Sequence, residues 1–258
     1  MGYLGISSQV FLLCASLLIA QVQKAPALSY ATGELSVNGA AAKAPVIVVG
    51  FVGGFVRHDN AVHSPVQLAA RIRNNYTSGV YIEVFENRRR EQAYQKILKI
   101  LDADHNGTLS EEEKRDARII IYGMSWGGSE TVALARELEA QRIPVLLTVQ
   151  VDSIAKMGQD DALIPANVAE AMNFYQPGGL LHGRPEIRAA DPSHTRILGN
   201  LRSEYGSKPL QCEKYPWYDR ILVKQHTEIE CDPTVWKQVE SLVRSKLPPM
   251  RESASAVR

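Results

Sequence analysis

Short apolar segments alternate along the chain with segments of helical character, and this alternation constrains the fold more than any other feature. The apolar runs, which are rich in Val, Ile and Leu, are residues 46–49, 79–85, 117–122 and 144–151. Residues 46–49 in particular form a continuous β-branched run, which is typical of a strand buried on both faces of a sheet. The segments between them, such as 88–101, carry apolar residues at helical spacing. The pattern predicts an α/β protein with a mostly parallel central sheet and helices on both faces.

Other elements have weaker signals. Ser64 and Pro65 predict a helix start, with the serine as N-cap and the proline at the first helical position. Residues 195–201 and 221–224 are weaker strand candidates, and residues 230–247 contain a final helix. The segment from Pro248 to the end is polar, and we expect it to form a flexible tail.

The composition excludes several classes of protein. The chain has 258 residues, of which 45% are hydrophobic, enough for one large domain or at most two. Lys and Arg total 29 against 28 Asp and Glu, a formal net charge of +1. Such a balance argues against a protein that coats nucleic acid, which needs surplus positive charge. It argues equally against a disordered acidic chain.

The N-terminal region resembles an export signal. Residues 10–20 form an apolar run, broken only by Ser16. The run is too short to span a bilayer as a helix, which takes about 20 residues, but it fits the core of a signal peptide. The small residues Ala25 and Ala27 predict cleavage after Ala27, so that residues 1–27 are a leader. The run lacks a preceding Lys or Arg, which leaves a buried N-terminal helix as the alternative.

The three cysteines are not equivalent. Cys14 lies in the predicted leader and would be removed with it. Cys212 and Cys231 then remain as the only pair in an oxidising compartment, which predicts a disulfide between them. The alternative is two separate buried thiols. We expect a secreted or periplasmic protein, and no later segment resembles a stable membrane span.

A nucleophile turn is predicted between the third apolar run and the helix that follows it. Residues 123–127 read GMSWG and match the pattern G-x-S-x-G. In a strand–turn–helix context, this pattern lifts the serine above the sheet edge at the N-terminus of the helix. Free N–H groups and the helix dipole there can stabilise developing negative charge. Ser125 is therefore the candidate nucleophile, with an inert serine in a glycine-rich turn as the alternative.

With this motif, residues 46–247 resemble the α/β-hydrolase superfamily, especially its lipase and esterase branch. The resemblance implies a serine, an acid and a histidine in that order along the chain, together with backbone donors for an oxyanion. By position, the amides of Phe51 and Trp126 are the candidate oxyanion hole. The histidine that lipases often carry before the first donor is replaced here by Val49.

The other two members of a catalytic triad are chosen by position. Asp152 closes the run 144–151, and a carboxylate at the C-terminal end of such a strand points to the site region. Asp160 and Asp161 are the second choice for the acid. His226 follows the candidate strand 221–224 and precedes the last helix, where a hydrolase presents its base. The run 46–49 ends in a predicted glycine-rich turn at residues 50–54, and His58 and His63, which follow it, are candidate pocket residues.

An acidic loop forms a second motif. Residues 102–113 match D-x-[DN]-x-[DN]-G-x5-E in full and resemble an EF-hand calcium loop. Gly107 permits the sharp turn, and the pattern supplies side-chain oxygens, one backbone carbonyl and a closing glutamate. The predicted Ca²⁺ ligands are Asp102, Asp104, Asn106, Thr108, Ser110 and Glu113. Because the loop is single and leads into the strand that carries Ser125, we expect a structural Ca²⁺. The alternative is a solvated acidic turn.

These features together predict an exported serine hydrolase that cleaves an ester or related acyl bond. Its partner would be a small-molecule or lipid acyl substrate, and residues 158–192 would cover the substrate pocket. Phosphate-binding and dinucleotide fingerprints are absent, so no organic cofactor is expected. An amidase or peptidase on the same scaffold stays open, because fold and triad do not set the substrate. A non-catalytic calcium-binding domain of the same fold is the further alternative.

Overall fold

The computed structural model describes residues 44–249, whose centre is a six-stranded sheet. The strands lie in the order β2-β1-β3-β4-β6-β8, and every neighbouring pair is parallel. Two short strands, β5 and β7, form a separate parallel pair. The strands are β1 (Val46–Val52), β2 (Val80–Glu86), β3 (Ile119–Met124), β4 (Val145–Val151), β5 (Leu163–Ile164), β6 (Val168–Tyr175), β7 (Arg188–Ala189) and β8 (Arg196–Arg202).

Helices cover both faces of this sheet. They are α1 (Ser64–Asn75), α2 (Arg90–Leu101), α3 (Glu111–Arg115), α4 (Trp126–Ala140), α5 (Trp217–Leu222), α6 (Lys224–Cys231) and α7 (Pro233–Ser245). Successive side chains of a strand point to opposite faces. Val48 accordingly joins a core cluster that includes residues of α1 and α7, whereas Ile47 joins a second cluster with residues of α2 and α4. The predicted fold class is confirmed.

The chain reverses its direction of travel across the sheet between β1 and β3. From β1 it passes to β2 on one side, and β3 then pairs on the other side of β1. A crevice opens outside the carboxyl ends of the strands at such a switch point, where α/β proteins bind ligands. Gly53 and Ser125 follow these two strands directly and meet at this crevice.

The first strand is longer than the sequence indicated. The prediction ended it at Val49 and placed a glycine-rich turn from Gly50, which is wrong. The strand continues to Val52, and Phe51 lies opposite Phe85 on one side and Gly123 on the other. Pairing on both sides satisfies the backbone polar groups of Gly50 and Phe51, so the strand tolerates the glycine.

Two other sequence-based predictions need correction. Residues 221–224 are not a strand, because α5 ends at Leu222 and α6 begins at Lys224. A run of three apolar residues followed by a lysine cannot distinguish a helix from a strand. Residues 158–192 do not serve mainly as a cover, because they contain β6, an interior strand of the sheet between β4 and β8. The β6 sequence VAEAMNFY is poor in β-branched residues, so tertiary pairing overrides its local preference.

The predicted disulfide is confirmed. Cys212, in the loop before α5, is bonded to Cys231, the last residue of α6, with their Cα atoms 5.9 Å apart. The bond joins the two ends of the α5–α6 segment and closes it into a loop. The predicted leader and nearly all of the predicted tail lie outside the described residues. Within residues 44–249, none of the helices combines the length and apolarity that crossing a membrane requires.

We predict that the double substitution Cys212→Ala/Cys231→Ala lowers the free energy of unfolding by about 3 kcal/mol, as expected for closing a loop of this size. The two cysteines are 19 residues apart in the sequence, and this separation determines the size of the loop. Urea denaturation monitored by circular dichroism measures the loss. Reduction of the unsubstituted protein should reproduce it, and the double variant should not respond to reductant. Equal stability of the two proteins would contradict the prediction.

Candidate active site

Ser125 occupies the tight turn between β3 and α4. Its backbone has φ 58° and ψ −127°, a conformation that residues with a side chain rarely adopt and that costs about 1–3 kcal/mol. The Ser125 N–H donates to the Val151 carbonyl at 3.0 Å, which fixes the turn to the end of β4. The residue thus lies at the N-terminus of α4, over the carboxyl ends of the strands, as the motif predicts.

Close backbone contacts explain the glycines around the serine. A side chain at Gly123 would collide with the carbonyl of Gly127. A Cβ atom on Gly127 would lie 2.5 Å from the Phe51 carbonyl oxygen, and one on Gly128 would lie 2.8 Å from the Ser153 Cβ. The N-terminus of α4 can therefore approach β1 and the end of β4 only because these positions have no side chains.

Asp152 and His226 form a buried hydrogen bond. The His226 Nδ1 lies 2.7 Å from the Asp152 Oδ2, although 74 residues separate them in the chain. Asp152 is fully buried directly after β4, where its backbone has φ 44°. Its carboxylate also accepts from the Gln176 N–H at 3.1 Å, the Gln176 Nε2 at 3.0 Å and the Gly183 N–H at 2.7 Å. These donors hold the carboxylate in place and stabilise its charge.

The alternative acids have other partners. Asp160 accepts from the Ala162 N–H at 2.9 Å, and this hydrogen bond holds the pKa of its carboxyl below the usual range. Asp161 accepts from the Ser153 hydroxyl at 2.6 Å and forms an ion pair with Arg184. Neither carboxylate is hydrogen-bonded to His226 in the part of the chain that the structure describes. Of the predicted acids, Asp152 is the one that contacts the histidine.

Ser125 and His226 line one cavity of about 630 Å³ at the switch point of the sheet. Among residues 44–249, no hydrogen bond joins the Ser125 hydroxyl to the His226 ring. Catalytic hydrogen bonds are often long without a substrate and tighten when it binds. The cavity thus brings together the serine and the histidine–aspartate pair, the three side chains of the predicted triad.

The predicted oxyanion donors are placed differently from one another. Trp126, the first residue of α4, lines the cavity. Phe51 lies inside the paired part of β1 and does not line it; the lining begins at Gly53. A Cβ atom on Gly53 would lie 2.7 Å from the Ser125 Cβ, so the loop after β1 passes directly beside the nucleophile. The sequence indicated Phe51 because it ended β1 at Val49, whereas the strand runs to Val52.

The backbone amides of the same loop are available to a ligand. Within the described chain, the N–H groups of Gly54 and Phe55 donate to no other group. Both residues line the cavity that contains Ser125.

Four cavity residues form an acidic and aromatic wall that the sequence did not indicate as a group. The His63 Nδ1 lies 2.8 Å from the Glu230 Oε1, and the His63 ring packs edge-on against Tyr215. Asp219, on α5, lines the same cavity. Burial raises the pKa of its carboxyl, and the charge of Glu230 raises it further. Only His63 carried a sequence signal, its place after the first turn.

The acidic loop brings three of its carboxylates together. Asp102, Asp104 and Glu113 each offer an oxygen atom within 4.8 Å of the others. The turn depends on Gly107 at φ 82°, whose N–H donates to the Asp102 Oδ2 at 3.0 Å. Glu113 accepts from the N–H and hydroxyl of Ser110, and these hydrogen bonds lower the pKa of its carboxyl.

The loop joins α2 to α3, just before the strand that leads to Ser125. Asn106 accepts from the Thr108 hydroxyl at 2.7 Å, so its oxygen is also turned into the loop. The oxygen donors and the glycine of the motif are thus arranged on a single turn. Such a set of hard oxygen donors suits Ca²⁺.

No protein-family model matches the chain, and no curated protein is similar to it in sequence. Several solved structures are similar at low sequence identity. An arylesterase is 16% identical over 43% of this chain and 38% of its own length, with a TM-score of 0.29. A cutinase-like protein from Cryptococcus sp. is 11% identical over 78% of this chain and 94% of its own, with a TM-score of 0.41. A hydrolase of the alpha/beta superfamily from Xanthomonas campestris pv. campestris, described as putative, is 15% identical over 78% and 99%, with a TM-score of 0.36.

Proposed function

We propose that the protein is a serine hydrolase that cleaves an ester or a related acyl bond at Ser125. The observation that carries the proposal is the buried 2.7 Å hydrogen bond between His226 and Asp152, in the wall of the cavity that Ser125 lines. A nucleophile, a base and an acid that orients the base are the parts that acyl transfer requires. The strained backbone of Ser125 supports the same role, because such strain concentrates at functional sites.

In this reaction the Ser125 hydroxyl attacks the carbonyl carbon of the substrate while His226 takes its proton. The tetrahedral intermediate collapses, and His226 returns the proton to the leaving group. Water then hydrolyses the acyl-enzyme by the same steps. Asp152 accepts the Nδ1–H of the histidine, so that Nε2 is the atom free to exchange protons with the serine. It also stabilises the imidazolium that forms.

Backbone amides would hold the oxyanion of the intermediate. Trp126 supplies one N–H at the N-terminus of α4, where the helix dipole favours negative charge. We propose that a second donor comes from the loop of Gly54 and Phe55, whose amides donate to no other group in residues 44–249. This loop replaces Phe51, because it lines the cavity and lies beside the nucleophile. Donors already in place reduce the reorganisation needed in the transition state.

We also propose that the loop 102–113 binds a structural Ca²⁺. The carboxylates of Asp102, Asp104 and Glu113 converge in this loop. The remaining ligands would be Asn106, Thr108 through its backbone carbonyl, and Ser110. The ion would offset the mutual repulsion of the three carboxylates and fix the connection between α2 and β3. Calcium is abundant outside cells, and the Cys212–Cys231 bond supports the same location, because disulfides persist in oxidising compartments.

The nucleophile can be tested by covalent labelling. We expect a fluorophosphonate probe to label the protein, and Ser125→Ala to abolish the label, because the probe reacts with an activated serine hydroxyl. Mass spectrometry of the labelled peptide locates the adduct. Ser193→Ala, at an exposed serine remote from the cavity, is the matched control and should retain full labelling. Persistent labelling of Ser125→Ala would refute this nucleophile.

The triad acid can be tested by an isosteric pair of substitutions. Asp152→Asn should reduce kcat on a p-nitrophenyl ester by about 10³- to 10⁴-fold, because an amide donor favours the wrong tautomer of His226. Asp160→Asn, at the alternative acid, should leave kcat within about twofold, since that residue is not bonded to the histidine. Steady-state kinetics on folded variants, verified by thermal melting, gives both numbers. The reverse ranking would assign the acid to Asp160.

The calcium site can be tested without reference to activity. Removing bound Ca²⁺ should lower the melting temperature, because an ion present at 100 times its Kd stabilises a fold by about 2.7 kcal/mol. Glu113→Gln should abolish the response to added Ca²⁺ in calorimetric titration. Glu112→Gln, at the exposed neighbouring carboxylate outside the ligand set, should bind Ca²⁺ normally. A melting temperature that is equal with Ca²⁺ and with chelator would overturn the proposal.

A further inference from the structure

Asp219 is an unpaired carboxylate in the wall of the candidate active site. It lies on α5, is partly buried, and lines the cavity that contains Ser125 and His226. Among the described residues, its side chain takes part in no hydrogen bond or ion pair. Burial and the nearby charge of Glu230 both raise the pKa of its carboxyl. The nearby rings of His63 and His226 act in the opposite direction, and no described Lys or Arg is paired with Asp219. A bound cation would stabilise a carboxylate held in this way.

The cavity as a whole has an excess of negative charge. Glu230 is a second carboxylate in its wall, with 12% of the side chain exposed, and its described partner is the ring of His63. Arg57 is the one Lys or Arg among the described lining residues. Its side chain is 73% exposed and paired with Asp59, so its charge is already compensated. Anionic substrates would be repelled from such a cavity.

Aromatic groups stand beside these carboxylates. Trp126, Tyr215 and Tyr218 line the same cavity, and ring faces attract quaternary and other ammonium groups. Tyr215 is buried, and it contributes to this wall beside His63. Carboxylates together with aromatic rings form a site that suits a positively charged, partly apolar group.

We propose that the cavity selects acyl substrates that carry an ammonium group, with Asp219 as the electrostatic partner of that group. The inference rests on the proposed hydrolase function, since it assigns the substrate class of the same site. Glu230 adds to the negative potential, and the aromatic side chains contact the alkyl groups around the nitrogen. The acyl carbon is then held beside Ser125 by an attraction that a neutral substrate of equal shape does not experience.

An isosteric pair of esters tests the proposal. Choline butyrate and 3,3-dimethylbutyl butyrate have the same shape and differ in the positive charge. We expect kcat/KM to favour the choline ester about tenfold at low salt, with a smaller preference at high salt because the charges are screened. Asp219→Asn should reduce the preference to below about threefold, and Asp219→Glu should restore part of it. Glu213→Gln, at an exposed carboxylate outside the cavity, should leave the preference unchanged.

A binding measurement separates this inference from the hydrolase proposal. Calorimetry with tetramethylammonium should show binding to the unsubstituted protein that weakens at least about fivefold in Asp219→Asn. Hydrolysis of both esters at equal rates would overturn the ammonium site and leave the hydrolase proposal standing. Absence of hydrolysis and of fluorophosphonate labelling would overturn the hydrolase proposal. Equal binding of tetramethylammonium by the two proteins, or no binding, would overturn the ammonium site in either case.

Discussion

The close approach of α4 to β1 is the constraint on which the rest of the site depends. The helix begins so near the strand that a side chain at Gly127 would lie 2.5 Å from the Phe51 carbonyl oxygen. This contact fixes the turn before the helix and forces Ser125 into a left-handed backbone conformation at φ 58°. The serine is thereby placed at the N-terminus of α4, over the switch point of the sheet. The strained conformation of Ser125 therefore accompanies the close packing of α4 against β1.

The proposed base depends on a different kind of constraint, because it lies on a helix outside the sheet. His226 lies on the short helix α6, whose order comes from tertiary contacts. Two of these contacts are the Cys212–Cys231 disulfide at the end of the helix and the hydrogen bond from His226 to Asp152. Asp152 can serve as the fixed end of that bond because Gln176 and Gly183 already hold it. Asp152 is thus positioned by the end of β4 and its hydrogen-bond donors, and His226 is positioned by Asp152.

The sequence predicted the parts of this site that are locally encoded. Ser125 and its glycines form a strand–turn–helix motif within a few residues, and Asp152 was found because it ends a strand with an obvious apolar run. Non-local parts were misread. The β6 sequence contains only one β-branched residue, and β1 continues past Gly50, where β2 and β3 pair with it. The choice of His226 rested on a predicted strand at residues 221–224, where the structure has the junction of α5 and α6.

The contrast between locally encoded and non-local features also explains why the reaction type is easier to predict here than the substrate class. Acyl transfer by a serine needs a few residue types in a strict geometry. The tight turn that this geometry requires is detectable in the sequence as the pattern G-x-S-x-G. The acidic wall needs only that Asp219 and Glu230 face one cavity, which the packing of α5 and α6 decides. No spacing rule links Asp219 to His63, 156 residues earlier by number (219 − 63). The proposed charge selectivity therefore depends on how the helices pack over the sheet, and it is apparent only in the structure.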